Sequence, residues 1–121
     1  MSKLKNLINK IHNIDCIKGL NKIPDNSVDL MMTPTSPNTA FAFGSKGAQN
    51  PIELYLEDLF TISSNLAGLP AISIPHGMVH SLPSGLQLIG NFLQEDKILN
   101  AAHIFQQNSE FHLAKPSMED F

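Results

Sequence analysis

The chain has 121 residues and a formal net charge of −3, with 42% hydrophobic and only 16% charged residues. This length is that of one domain, and the sequence has no run of 18 apolar residues of the kind that spans a membrane. All eight basic residues are lysines, so the arginine fork that reads guanine edges is absent and nucleic acid is not expected as a partner. The single cysteine, Cys16, excludes an internal disulfide and suits a cytoplasmic location.

The first quarter of the chain has the pattern of a βαβ unit. Residues 10–15 are predicted to form a short strand, residues 16–23 a short helix, residues 24–27 a turn, and the apolar run "VDLMM" (28–32) a second strand. A second interpretation of the start is an amphipathic helix, because helical spacing relates Leu4, Leu7, Ile8 and Ile11.

A long loop and a helix follow. Residues 33–50 are rich in Pro, Gly, Ser, Thr and Asn, which predicts a loop. A helix should begin at Pro51 and end at Gly68. Its predicted buried stripe consists of Ile52, Tyr55, Leu56, Leu59 and Phe60.

The last third of the chain predicts two strands and a helix. "AISIP" (71–75) and "GLQLIG" (85–90) are expected to pair as a hairpin across a turn-rich connection. A helix should start near Asp96, because acidic residues favour a helix N-terminus. The core face of that helix is predicted to hold Ile98, Leu99, Ala102 and Phe105, and residues 115–121 are expected to fray.

Three short motifs have the residue types of functional sites but not their context. His76 and His80 have the i, i+4 spacing of metal ligands, but Gly and Pro around them exclude the helix that this spacing requires, so no metal is expected. Ser63-Ser64 has no neighbouring base or oxyanion donors, and we expect bonds from these serines to backbone carbonyls. "GSKG" (44–47) lacks the spacing of a phosphate loop, and no cofactor is expected.

Asp58 is the candidate binding residue. It lies at the edge of the apolar stripe, where a carboxylate either pairs locally or points into a cleft and binds a ligand ammonium group. The pattern alone leaves both options open.

Four phrases in residues 33–121 resemble the C-terminal part of one family. These are "TPTSPNTAF", "NPIELYLEDLFTISSNLAGLPAISIPHG", "LPSGLQLIG" and "AAHIFQQNSEFH". In this order and spacing they are similar to the A subunit of the glutamyl/aspartyl-tRNA amidotransferases, which is an amidase-signature enzyme.

The resemblance implies a function and a binding residue. The A subunit of the family hydrolyses glutamine, and a different subunit uses the ammonia to amidate a misacylated tRNA. Its nucleophilic serine acts with a cis-peptide serine and a lysine, in segments that this sequence does not contain, so no catalytic residue is assigned. The acid of "YLED" that binds the amino group of glutamine in the family corresponds to Asp58.

The leader, residues 1–32, resembles a different family. "KIHNIDCIKGLNKIPDNSVDLMMT" is similar to the opening of amino-group DNA methyltransferases, but the Asp-Pro-Pro-Tyr motif that should follow Thr33 is replaced by Pro34-Thr35-Ser36. Residues 1–24 carry a net charge of +4 and residues 25–121 a net charge of −7, which fits two origins. The hypothesis is a chimera with a methyltransferase-like leader at 1–32 and an amidase-signature fragment at 33–121.

The expected fold is α/β, a small mixed sheet with flanking helices that forms a fragment of the amidase-signature fold. The expected function is that of a truncated relative of the A subunit, inactive alone, with self-association through exposed apolar faces. The alternatives are an interaction module for the other amidotransferase subunits and a methyltransferase remnant.

Overall fold

A computed structural model of the chain describes residues 18, 21–42, 44 and 51–116. Three strands, three α-helices and one 3-10 turn are present in these residues. They are β1 (Leu30–Pro34), α1 (Pro51–Leu56), α2 (Ile62–Ala67), β2 (Ala71–Val79), β3 (Leu82–Gly90), α3 (Glu95–Gln107) and the 3-10 turn Phe111–Leu113.

The three strands form one antiparallel sheet with β3 in the centre, in the order β1-β3-β2. Gln87 of β3 lies opposite Thr33 of β1 and Ser73 of β2. Because successive side chains of a strand point to opposite faces, this register gives the sheet an apolar face and a polar face. The expected small α/β fold is confirmed, and the described sheet is antiparallel throughout.

The core lies between the apolar face of the sheet and α3. Ile74 of β2, Leu88 of β3 and Ala102 of α3 are buried together, and Leu88 is only 2% exposed. Half-buried neighbours widen this cluster on both elements: Ile72, Leu86, Ala101 and Phe105. Such a small core leaves many large apolar side chains in solvent.

The strand predicted at residues 28–32 is confirmed as β1, which starts two residues later and continues to Pro34. The predicted turn before it is present, and the hydroxyl of Ser27 donates to the carbonyl of Pro24 over 2.6 Å. The strand at 10–15, the alternative helix through Leu4, Leu7, Ile8 and Ile11, and most of the helix at 16–23 lie outside the described residues.

The single helix predicted from Pro51 to Gly68 is wrong, because the chain forms two short helices with turns at 57–61 between them. The amides of Glu57, Asp58 and Leu59 each bond to the carbonyl three residues earlier, which tightens the backbone and ends α1. The hydroxyl of Thr61 bonds to the Asp58 carbonyl over 3.0 Å and competes with the helical bonds there. Gly68 ends α2 as predicted, in a left-handed conformation with φ 64°.

The predicted burial of the stripe is also wrong. Ile52 is 68% exposed, Tyr55 71% and Leu59 55%, and Leu56 is exposed as well, while Phe60 is half-buried. The change of direction at 57–61 breaks the helical repeat that would place these residues on one face. No described element covers them.

The hairpin is confirmed, but its strands are longer than predicted. β2 and β3 extend to a two-residue turn at His80 and Ser81, which both have positive φ (51° and 63°). Helix α3 is confirmed with Ile98 and Ala102 buried, whereas Leu99 was predicted in the core and is 57% exposed. Leu99 lies one residue after Ile98, which turns it about 100° away from the sheet.

Candidate functional site

Asp58 lies in the junction between α1 and α2, which we define as residues 57–61. Its side chain is exposed and therefore accessible to a ligand. Its carbonyl accepts hydrogen bonds from the Thr61 and Ile62 amides at 3.0 and 3.2 Å and from the Thr61 hydroxyl at 3.0 Å. The carbonyl of Asp58 therefore closes the turn that leads into α2.

A side chain of the loop after β1 holds the junction on one side of Asp58. The amide of Asn38 donates to a carboxylate oxygen of Glu57 over 3.1 Å. Asn38 belongs to the phrase "TPTSPNTAF", and the hydroxyl of Ser36 bonds to its carbonyl over 2.7 Å. Two segments that are separate in the sequence are thus joined next to Asp58.

A side chain of the central strand holds the junction on the other side. Gln87 is only 3% exposed, and its Nε2 donates to the carbonyl of Phe60 over 3.0 Å and to the hydroxyl of Thr33 over 3.3 Å. Sequence reasoning did not single out Gln87. Its signal was a lone amide within the apolar strand "GLQLIG", since a buried amide needs hydrogen-bond partners.

The polar face of the sheet continues beside Gln87 with two hydroxyls. Thr35 and Ser73 lie 2.7 Å apart, oxygen to oxygen. Thr35 also donates its amide to the carbonyl of Gly85 over 3.0 Å. The hydroxyls of Thr35 and Ser73 and the side-chain amide of Gln87 lie on one face of the sheet. Their hydrogen bonds fix the three strands relative to one another.

An open groove of about 430 Å³ lies between the loop after β1 and the turn of the hairpin. Its polar lining includes His76, His80, Ser84 and Asn38. The ring of His76 contacts that of Phe111, with centroids 6.2 Å apart. The groove is therefore lined by both histidines that have the i, i+4 spacing of metal ligands, and they lie on a strand and a turn, in agreement with the absence of a helix predicted there.

The described residues contain no cluster of three or more His, Cys, Asp or Glu side chains that could hold a metal ion. No residue of the groove is therefore assigned to a metal.

The two serines of α2 differ in environment. Ser64 is buried and its hydroxyl donates to the carbonyl of Thr61 over 2.9 Å, which confirms the predicted bond to backbone. Ser63 is exposed. Most of "GSKG" (44–47) lies outside the described residues.

One ion pair connects the segment before β1 to α3. Lys97 Nζ lies 2.8 Å from Asp29 Oδ1. The hydrogen bond from the Lys97 ammonium, together with its charge, lowers the pKa of the Asp29 carboxyl. The pair is exposed and serves the fold rather than the junction.

In the part of the chain that the structure covers, no helix has both the length and the apolar character to span a bilayer.

Several relatives of the chain belong to one family. The profile of the Amidase family matches residues 10–99. The A subunit of a Glutamyl-tRNA(Gln) amidotransferase of Cellvibrio japonicus is 60% identical over 85 residues, which is 70% of this chain and 17% of that protein. The corresponding protein of a Marinomonas species is 44% identical over 116 residues, 96% of this chain and 22% of that protein.

The fold has a relative among solved structures. The crystal structure of the Glutamyl-tRNA(Gln) amidotransferase A subunit of Thermotoga maritima superposes with a TM-score of 0.55 at 50% identity, covering 58% of this chain and 15% of that one. The chain thus spans about a fifth of the length of the curated relatives it matches. The family match begins at residue 10 and includes most of the leader, so the boundary at residue 33 stays a prediction. On the length of the profile match and the identity to these relatives, the chain belongs to the amidase family.

Proposed function

We propose that this chain is the substrate-recognition part of a glutaminase that resembles the amidotransferase A subunit. The carboxylate of Asp58 binds the α-ammonium group of glutamine through a charge-assisted hydrogen bond. The catalytic Lys-Ser-Ser residues come from another chain or another part of the protein. The 121 residues of this chain alone therefore release no ammonia. The observation that carries the proposal is the exposed Asp58 in a junction held from two sides, in a chain 60% identical to an amidotransferase A subunit.

The test is ammonia release from L-glutamine. The 121-residue chain is assayed alone and with the Cellvibrio japonicus relative shortened to the part that precedes its match to this chain. We expect no release from either piece and release from the mixture. Asp58→Ala should then raise KM for L-glutamine about tenfold or more, because hydrogen bonds to charged groups contribute about 1.5–3 kcal/mol.

Two controls make the assay specific. Asp25→Ala removes another exposed carboxylate, in the turn before β1, and should leave KM unchanged. Glutaramate, which is glutamine without its α-amino group, should compete weakly and equally against the parent mixture and the Asp58→Ala mixture. An Asp58→Ala mixture with the parent KM would contradict the assignment.

A second candidate function, an interaction module for the other amidotransferase subunits, is favoured by the apolar residues of α1 and α2. Ile52, Tyr55 and Leu66 are 68%, 71% and 84% exposed, and large apolar residues exposed to this degree are candidates for contact with a partner. Co-purification of the tagged chain with the other subunits is the measurement. Loss of that binding in Ile52→Glu but not in Asp58→Ala would separate this function from substrate recognition.

The origin of the leader is a further proposal that rests on the sequence of residues 1–32. Its support is the methyltransferase-like phrase and the charge division, whereas the amidase match from residue 10 favours a continuous amidase origin. Sequencing the locus and its transcript decides between them. A continuous amidotransferase reading frame upstream of Thr33 would rule the chimera out.

A further inference from the structure

Two side-chain hydrogen bonds reach the junction on either side of Asp58, one to a side chain and one to the backbone. Asn38 binds Glu57, one residue before Asp58, and Gln87 binds the carbonyl of Phe60, two residues after it. The donors come from different parts of the fold, a loop and the central strand. The residue between them is exposed, whereas Gln87 is almost fully buried.

We propose that Gln87 and Asn38 are positioning residues for Asp58. They fix the junction on the sheet, so that the Asp58 carboxylate has one position relative to a bound ammonium group. The inference rests on the proposed role of Asp58 in glutamine binding, and it adds the residues that make this role possible.

The geometry explains why Gln87 fits this task. Its Nε2 has two hydrogens, and they bind Phe60 of the junction and Thr33 of β1, which is the strand partner of Gln87. The bond to Thr33 orients the amide, and the bond to Phe60 transfers that orientation to the junction. Displacing this buried amide is costly, because Gln87 and its two acceptors would be left without hydrogen-bond partners in a place that water does not reach.

The local backbone carries this constraint to Asp58. The amides of Thr61 and Ile62 both bond to the Asp58 carbonyl, so the plane of the peptide after Asp58 is set by the turn that Gln87 holds. A short side chain such as aspartate follows its backbone closely. Movement of the junction would therefore move the carboxylate away from a ligand ammonium, and displacements of about 1 Å matter at such contacts.

The first experiment measures the junction itself, in the full 121-residue chain. Amide hydrogen exchange of Thr61 and Ile62 is followed by NMR in the parent chain, Gln87→Met, Asn38→Ala and the control Thr35→Val. Met has nearly the length of Gln and no donor. Thr35→Val removes the Thr35–Ser73 bond on the same sheet face but no contact to the junction.

We expect Gln87→Met and Asn38→Ala to lower the protection of these two amides about fivefold, the equilibrium effect of losing one typical hydrogen bond. Thr35→Val should leave the protection of the Thr61 and Ile62 amides unchanged relative to that of the sheet amides. Unchanged protection of the Thr61 and Ile62 amides in Gln87→Met would overturn the proposal. If Gln87→Met loses the sheet signals, the exposed loop variant Asn38→Ala decides alone, and an unchanged profile there overturns it.

The second experiment measures glutamine recognition, in the two-piece glutaminase mixture described above. The positioning variants should raise KM for L-glutamine about fivefold with kcat unchanged. An unchanged KM in both variants, with Asp58→Ala raising it, would overturn the proposal. An unchanged KM in Asp58→Ala would instead overturn the proposed function, while the exchange result still decides whether Gln87 and Asn38 hold the junction.

Discussion

The hydroxyl oxygens of Thr35 and Ser73 lie 2.7 Å apart, although they belong to the two outer segments that flank β3. Gly85 of the central strand lies between them. A Cβ atom at position 85 would be 2.7 Å from both oxygens and 3.2 Å from the Cβ of Thr35. The hydrogen bond between Thr35 and Ser73 therefore requires a glycine at position 85, where any side chain would displace the two hydroxyls.

Gly85→Ala should destabilise the chain by about 1–3 kcal/mol, as overpacking does, because the added methyl displaces both hydroxyls. The measurement is the midpoint of urea unfolding followed by circular dichroism. The control is the same change in a Thr35→Ser/Ser73→Ala background, where one oxygen and one methyl group are gone and the cost should fall. An equal cost in both backgrounds would show that the crowding is not the cause.

The core offers a matched pair of leucines. Leu88 is 2% exposed against Ile74 and Ala102, so Leu88→Ala should cost about 2–5 kcal/mol. Leu99→Ala, at a residue 57% exposed, should stay within about 0.5 kcal/mol. Equal shifts of the urea midpoint would mean that Leu99 lies in the core, as the helical pattern had suggested.

These two leucines also show how far the sequence predicts the fold. Residue spacing identified the hairpin and α3, because each buries one face and the period survives, whereas β1 was identified as an apolar run of strand length. It failed for α1 and α2, where backbone turns at 57–61 interrupt the period and no described element covers the stripe. Resemblance pointed to Asp58, but the contacts of Gln87 and Asn38 depend on strand register and loop path, which no local pattern contains.

The hairpin turn predicts a stabilising change. His80 and Ser81 both adopt positive φ, which costs non-glycine residues about 1–2 kcal/mol. Ser81→Gly should raise stability by less than about 1 kcal/mol, because the relief of strain is partly offset by the greater freedom of the unfolded chain. Ser84→Gly, in β3, should lower it. A lower urea midpoint for Ser81→Gly would contradict the turn geometry.

The Asp29–Lys97 pair predicts a small pH dependence. Because the folded pKa of Asp29 is lowered, its contribution is fully present above the ordinary aspartate pKa of about 3.9 and is lost as pH falls through the lowered value. Asp29→Asn should therefore reduce the melting temperature slightly near neutral pH. The difference should vanish in strong acid and in high salt, which screens exposed pairs. If the difference in melting temperature between the parent chain and Asp29→Asn persists in acid, the ion pair is not its cause.

The exposed apolar residues of α1 and the junction predict self-association. Ile52, Tyr55 and Leu59 are each more than half exposed, and the buried core is small. We expect sedimentation velocity to show concentration-dependent association, and a hydrophobic dye to bind with a broad thermal transition.

Ile52→Glu and Leu59→Glu should suppress this association without loss of secondary structure, because solvent-exposed positions tolerate charge. The matched control is Leu99→Glu, which changes an equally exposed leucine on α3. If the three variants reduce association equally, no specific surface is involved. A sharp monomeric unfolding transition in the parent chain would show that these apolar residues do not drive association, and would leave the interaction module without its supporting observation.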